Sequence, residues 1–255
     1  MKRRLMVSLL LLAFAVSLIS ARPTAAAAAV EIQNDSMWLN PVTGTLYVFG
    51  EVRNTGDVWL RFVEVTATLK DAGGVLVDVV SSYVAVTYLP SDATAPFNVL
   101  EMDEEKASRV QTYSLAVDFH EAAPIPVKLV IMNTADSINT LGHMEVIGEV
   151  ENQGDAPSPF TEVVGTFYDA AGKVIYVTSA YTDPNEIPPG ARYSFKMIVI
   201  DEERTSKVDH YSLIAESNEY TSVPEWPSPA LAAAAVLFIA VLVLRRKISD
   251  RGILM

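Results

Sequence analysis

The residues with the clearest chemical potential are two acidic clusters, Asp103-Glu104-Glu105 and Asp201-Glu202-Glu203, set 98 positions apart. Carboxylates are the ligands that hard cations such as calcium prefer. Calcium loops space their ligands at alternate positions around glycine or asparagine, whereas these runs are contiguous and lead straight into Lys106 and Arg204. Solvated turns with local ion pairs are the first reading, and a weak calcium site is the alternative. His120, His143 and His210 form no constellation: His120 sits at a linker, and the other two align with Thr45 and Thr112. The chain has no cysteine, which removes thiol nucleophiles, cysteine-based zinc sites and disulfide staples. No Ser/His/Asp set, carboxylate pair or phosphate-cradling glycine loop stands out, so neither an enzyme nor a cofactor is expected.

The spacing of 98 belongs to the whole chain. Between Val48 and Leu115, 28 of 68 positions are identical to the residue 98 places later, including Gly50-Glu51-Val52, Asn54, Gly56-Asp57 and their counterparts Gly148-Glu149-Val150, Asn152, Gly154-Asp155. The chain carries two copies of one domain, each of ordinary size for a small β fold. A difference between copies marks a position the shared fold leaves free. Tyr47 stands opposite Glu145, Trp59 opposite Pro157, Tyr88 opposite Glu186, Tyr176 opposite Asp78 and Tyr193 opposite Ala95. These five aromatics offer a contact surface, with Trp59 foremost, since surface aromatics are favoured contact residues.

Alternation with a period of two supplies the elements that must position them. Leu46, Val48 and Val52 match Met144, Val146 and Val150, and Val65, Ala67 and Leu69 match Val163, Gly165 and Phe167. These are the core faces of half-buried antiparallel strands. Asp71-Ala72-Gly73-Gly74 and Asp169-Ala170-Ala171-Gly172 read as hairpin turns, and Pro90-Ser91-Asp92 and Pro188-Pro189-Gly190 as corners. Six or seven strands per copy, with no amphipathic helix, predict a mainly β chain of two tandem immunoglobulin-like β-sandwiches over residues 30–120 and 127–217. The proline-stiffened linker 121–126 predicts that they sit end to end.

The flanks predict where the pair works. Lys2-Arg3-Arg4, an apolar run from Leu5 to Ile19 and small residues up to Ala29 read as a signal peptide with its cleavage region over residues 1–29. Trp226 to Leu244 carries no charge and precedes Arg245-Arg246-Lys247. As a helix of about 28 Å it matches a bilayer's apolar thickness, and the basic cluster holds a cytoplasmic tail over 248–255. A proline-containing stalk over 218–229 leads into this single membrane helix at 230–247, and residues 226–247 together make the membrane contact. The net charge is −12, and each terminal basic segment contributes three positive charges, which leaves −18 between them. So acidic a surface repels nucleic acid.

The residues Met144-Glu145-Val146-Ile147-Gly148-Glu149-Val150-Glu151-Asn152, Phe167-Tyr168-Asp169-Ala170-Ala171-Gly172-Lys173-Val174 and Ile187-Pro188-Pro189-Gly190 resemble the FxLYD-type extracellular domain. The first copy departs at Lys70, Val75 and Asp92. Val223-Pro224-Glu225-Trp226-Pro227 with its apolar and basic sequel resembles the archaeal Pro-Glu-Phe anchoring signals, with Trp226 in place of the phenylalanine. The resemblance implies a prokaryotic surface module without a common catalytic activity. The function expected is a single-pass cell-surface protein whose ectodomain serves as a spacer or interaction module for other envelope or membrane proteins. An accessory or sensor subunit of a membrane complex is the alternative, and a secreted hydrolase ranks third.

Overall fold

The computed structural model describes residues 28–222. The expected signal peptide as far as residue 27, the expected membrane segment at 226–247 and the expected tail lie outside the described residues. Among the described residues no helix is long and apolar enough to cross a membrane.

The chain is mainly β. The first copy runs β1 (Val30–Leu39), β2 (Leu46–Asn54), β3 (Trp59–Lys70), β4 (Leu76–Tyr83), β5 (Tyr88–Leu89), β6 (Thr94–Glu101), α1 (Glu104–Arg109) and β7 (Thr112–Ala122). The second runs β8 (Leu129–Ile138), β9 (Met144–Asn152), β10 (Glu162–Tyr168), β11 (Val174–Asp183), β12 (Arg192–Val199), α2 (Glu202–Thr205) and β13 (His210–Glu216). In the first copy a sheet β1-β2-β6 faces a sheet in which β3 pairs with β4, β5 and β7. In the second, β8-β9-β12 continues into β11-β10-β13, because Thr182 and Asp183 at the end of β11 pair with Phe195 and Ser194 of β12.

Each copy has a core, and that of the first takes in Val164 and Ile214 of the second. Val48, Val52, Val65, Ala67 and Leu69 are buried in the first, and Val146, Val150, Val163 and Phe167 in the second, as the alternation predicts. The repeated glycines are explained across the sheet. Gly50 pairs with Phe97 and Gly148 with Phe195, and a Cβ on either glycine would stand 2.5 or 2.7 Å from the phenylalanine ring. The repeated asparagines are fully buried and fully used. The Asn54 amide donates to the carbonyls of Val58 and Leu89 while its oxygen accepts from Gly56 N–H, and Asn152 does the same with Ala156, Ile187 and Gly154. One side chain thereby ties a turn to a distant corner, so the shared Asn is a fold requirement.

The two copies do not sit end to end. The outer face of β11-β10-β13 lies against the outer face of β1-β2-β6, with Phe49, Tyr168 and Val174 buried between them. The consequence is visible along β13, which is buried at every residue after the first, whereas its counterpart β7 alternates between exposed and half-buried. A stiff linker limits hinge motion but leaves direction to the surfaces it joins, and the aromatic face of β2 gains by being covered. The segment after β13 returns to the linker: Val127 bridges Thr221, and the N–H groups of Lys128 and Leu129 donate to the Thr221 carbonyl. Residues 218–222, expected to open the stalk, fold back on the second copy, where Tyr220 is buried and its hydroxyl accepts from Ala156 N–H.

Candidate functional site: the seam between the repeats

Strand β2 turns Leu46, Val48 and Val52 inward, so Tyr47, Phe49 and Glu51 point out of the first copy toward the second. An aromatic ladder results. Trp38 and Tyr47 are 5.4 Å apart, Tyr47 stacks on Phe49 at 5.5 Å, and Phe49 reaches Tyr176 of the second copy at 6.3 Å. Arg204 of α2 closes the ladder, its guanidinium 4.0 Å from the Trp38 ring centre and 5.6 Å from that of Phe49. Burial lowers the Arg204 pKa to about 10, and its Nε has no hydrogen-bond partner, so the ring faces supply the compensating interaction.

Below the ladder the seam is polar. The Tyr168 hydroxyl donates to Glu51 at 2.5 Å, and the other Glu51 oxygen accepts from the Asn34 amide at 2.7 Å. Burial, and then the Glu51 charge, push the Tyr168 phenol up from its ordinary value. The Ser36 hydroxyl donates to the Val174 carbonyl at 2.5 Å. Glu216 of β13 accepts from Thr87 N–H at 2.8 and 2.9 Å and from the Thr87 hydroxyl at 3.0 Å. Burial raises the Glu216 carboxyl to about 7 in spite of those donors. Between these contacts lies a cleft of about 370 Å³, lined by Glu51, Tyr88, Leu89, Thr166, Ser212 and Ile214 among others. Apolar walls with a few hydroxyls and a carboxylate suit a small amphipathic ligand.

The sequence-predicted contact residues divide. Tyr47 and Tyr176 belong to the seam, and Tyr88 lines its cleft. Trp59 is half-buried at the start of β3, opposite Ala122 and so beside the linker. Tyr193 packs against the second core, where its twin Ala95 is a core residue of the first copy. The seam also holds Trp38, Phe49, Tyr168, Arg204 and Glu216, which are not among those five; their twins Asp136, Ile147, Lys70, Lys106 and Asp118 differ, and that difference is the signal the sequence offers.

The acidic clusters are helix starts rather than turns. Asp103 caps α1 by accepting from the N–H groups of Glu105 and Lys106, and Asp201 caps α2 by accepting from Arg204 N–H. Glu104 and Glu202 lie over Gly44 and Gly142, which hold φ of 68° and 77°. Glu203 pairs with Lys207 at 2.6 Å, whereas Lys106 reaches Asp78 at 2.5 Å and lowers its pKa to about 2. Among the described residues no three His, Cys, Asp or Glu side chains gather to hold a metal ion. The histidines are dispersed: His120 meets Phe62 edge-on at 6.1 Å, His210 stacks on Tyr168 at 4.7 Å, and the His143 N–H donates to Asn139.

No family model matches this chain, and no curated protein matches it. Among solved structures it is similar to red sea bream transglutaminase, at 10% identity and a TM-score of 0.23, over 81% of this chain and 32% of that one. It is also similar to the exo-chitosanase CsxA of Amycolatopsis orientalis. That enzyme in complex with PNP-beta-D-glucosamine gives 11% identity and a TM-score of 0.27, and without it 11% and 0.24, over 76% of this chain and 26% of the enzyme. The chain spans about a third or less of those proteins, and likeness at this level bears on neither activity nor substrate.

Proposed function

We propose that this chain is a membrane-anchored, outward-facing protein of the cell envelope, built as two immunoglobulin-like sandwiches of FxLYD type that act as one rigid, non-catalytic interaction or spacer block. Residues 30–120 and 127–217 are the two modules, and the apolar stretch at 226–247 holds them to the membrane. The observation that carries the reading is the seam. Phe49 and Tyr168 are buried across it and Arg204 is sandwiched against Trp38, so the repeats move together and present fixed surfaces. The face of β9 that corresponds to the covered face of β2 carries Glu145, Glu149 and Glu151 around a single apolar residue, Ile147, with Glu145 and Glu151 tied to Lys196 and Arg192. Such a face is suited to water or to a basic partner rather than to a second aromatic seam. Because the chain has no cysteine, spin labels on Ala72→Cys and Ala171→Cys would report the geometry directly. One narrow distance distribution is expected; a broad distribution like that of a flexible tandem would refute the rigid block.

The cleft at the seam favours a second reading, an accessory or sensor subunit of a membrane complex. Solubilisation in mild detergent separates the two: stoichiometric membrane subunits that co-purify support the second, and their absence supports the first.

A further inference from the structure

Four aromatic side chains are both shared by the copies and exposed, against the rule that shared positions serve the fold. Phe62 and Phe160 are twins, 54% and 63% exposed, and Tyr83 and Tyr181 are twins at 57% and 55%. The residues around the phenylalanines change between copies, Leu60-Arg61 to Ser158-Pro159 and Val63 to Thr161, while the aromatic stays. Both phenylalanines hold left-handed backbone, φ 49° and 50°, a conformation that bulky residues adopt at a cost. The break in register between Arg61 and Glu64 accounts for the backbone of Phe62, but neither core explains why an aromatic ring is kept in the open in both copies.

Their place in the fold is common to all four. Tyr83 pairs with Glu64 and Tyr181 with Glu162, each two residues from its phenylalanine. Phe62 lies beside the last residues of β7, where the chain leaves the first copy, and its ring meets His120. Phe160 lies between Ser158, which bonds Ser217, and Thr161, so it flanks the point where the chain leaves the second copy. The two exits meet where Val127 bridges Thr221. Trp226, which opens the uncharged stretch, is only four residues beyond Ser222, and four residues span at most about 14 Å.

From this juxtaposition we infer that the linker end of the block rests on the outer interface of the bilayer, with Phe62, Phe160, Tyr83 and Tyr181 as its contact residues. The inference rests on the anchor reading of residues 226–247. Phenylalanine brings apolar area and tyrosine an amphipathic ring suited to the headgroup level. The acidic surface makes the contact apolar rather than electrostatic, so zwitterionic lipid is the fitting partner.

The test uses the full chain in phosphatidylcholine vesicles, with single cysteines at Phe62→Cys or Phe160→Cys and, at the far hairpins, Ala72→Cys or Ala171→Cys. Labels at 62 and 160 should show a several-fold loss of reaction with water-soluble thiol reagents and a gain in contact with lipid-dissolved oxygen, relative to 72 and 171. Arg61→Cys and Pro159→Cys give the same comparison with both phenylalanines intact. A chain that floats with the vesicles yet reacts equally at both ends overturns the resting contact and leaves the anchor standing. A chain that does not float overturns both.

Discussion

Acidification from pH 8 to pH 5 should tighten the seam, and Glu216 is the reason. The side chain is 7% exposed, and burial raises its carboxyl from 4.5 to about 7. One pH unit of displacement corresponds to 1.36 kcal/mol, so holding the charged form in the seam costs about 3 kcal/mol relative to the unfolded chain. Between pH 4.5 and 7 the folded state binds the proton and the unfolded state does not, so stability falls as pH rises through that window and levels off above it. Glu101, also raised by burial, acts in the same direction. Asp78, Glu145 and Glu203, lowered by their lysine partners, contribute stability that disappears only as the pH falls toward their own lower values. Comparison with Glu216→Gln isolates the one group, because the amide oxygen still accepts from Thr87 while the charge is gone. Urea unfolding of both proteins at pH 5, 6, 7 and 8 should give a difference that favours the variant by up to about 3 kcal/mol at pH 8 and shrinks toward zero at pH 5. A difference independent of pH would refute the argument that burial, rather than the Thr87 donors, governs this carboxyl.

The same scaffold makes other outcomes predictable. Asn152→Ala removes three hydrogen bonds at a fully buried site and should cost about 3–5 kcal/mol in urea unfolding, with Asn54→Ala close behind. Arg204→Ala should destabilise by about 2–3 kcal/mol and change Trp38 fluorescence, whereas Arg204→Met, which keeps the volume and removes the unpaired Nε, should cost less than half of that. Asp201→Ala should cost about 1 kcal/mol through loss of the cap. Millimolar calcium should leave the melting temperature of both proteins unchanged; a calcium-dependent rise lost in the variant would favour the cation reading.

Much of each copy's interior could be read from residue order. Alternation assigned Val48, Val52, Val65 and Leu69 and their twins to the core, because a strand's period of two leaves little choice once one face is apolar. The turn residues Asp71 and Asp169 also behave as local chemistry dictates, each accepting two N–H groups of its own hairpin. The acidic clusters read as turns yet start helices, as an aspartate ahead of two glutamates can; the helices are only six and four residues long and leave almost no periodicity.

What residue order alone determined is the duplication, the mainly β character and the inward face of each strand, since all depend on local spacing within one copy. Only the tertiary structure decided what the outward faces do. Whether Tyr47 meets water or Phe49, whether Glu216 is solvated or closed over by Thr87, and whether Phe62 is left in the open depend on how one sheet lies on another. A strand's period says which side faces away from its own core, but it carries no information about what arrives on that side from a segment 129 residues away.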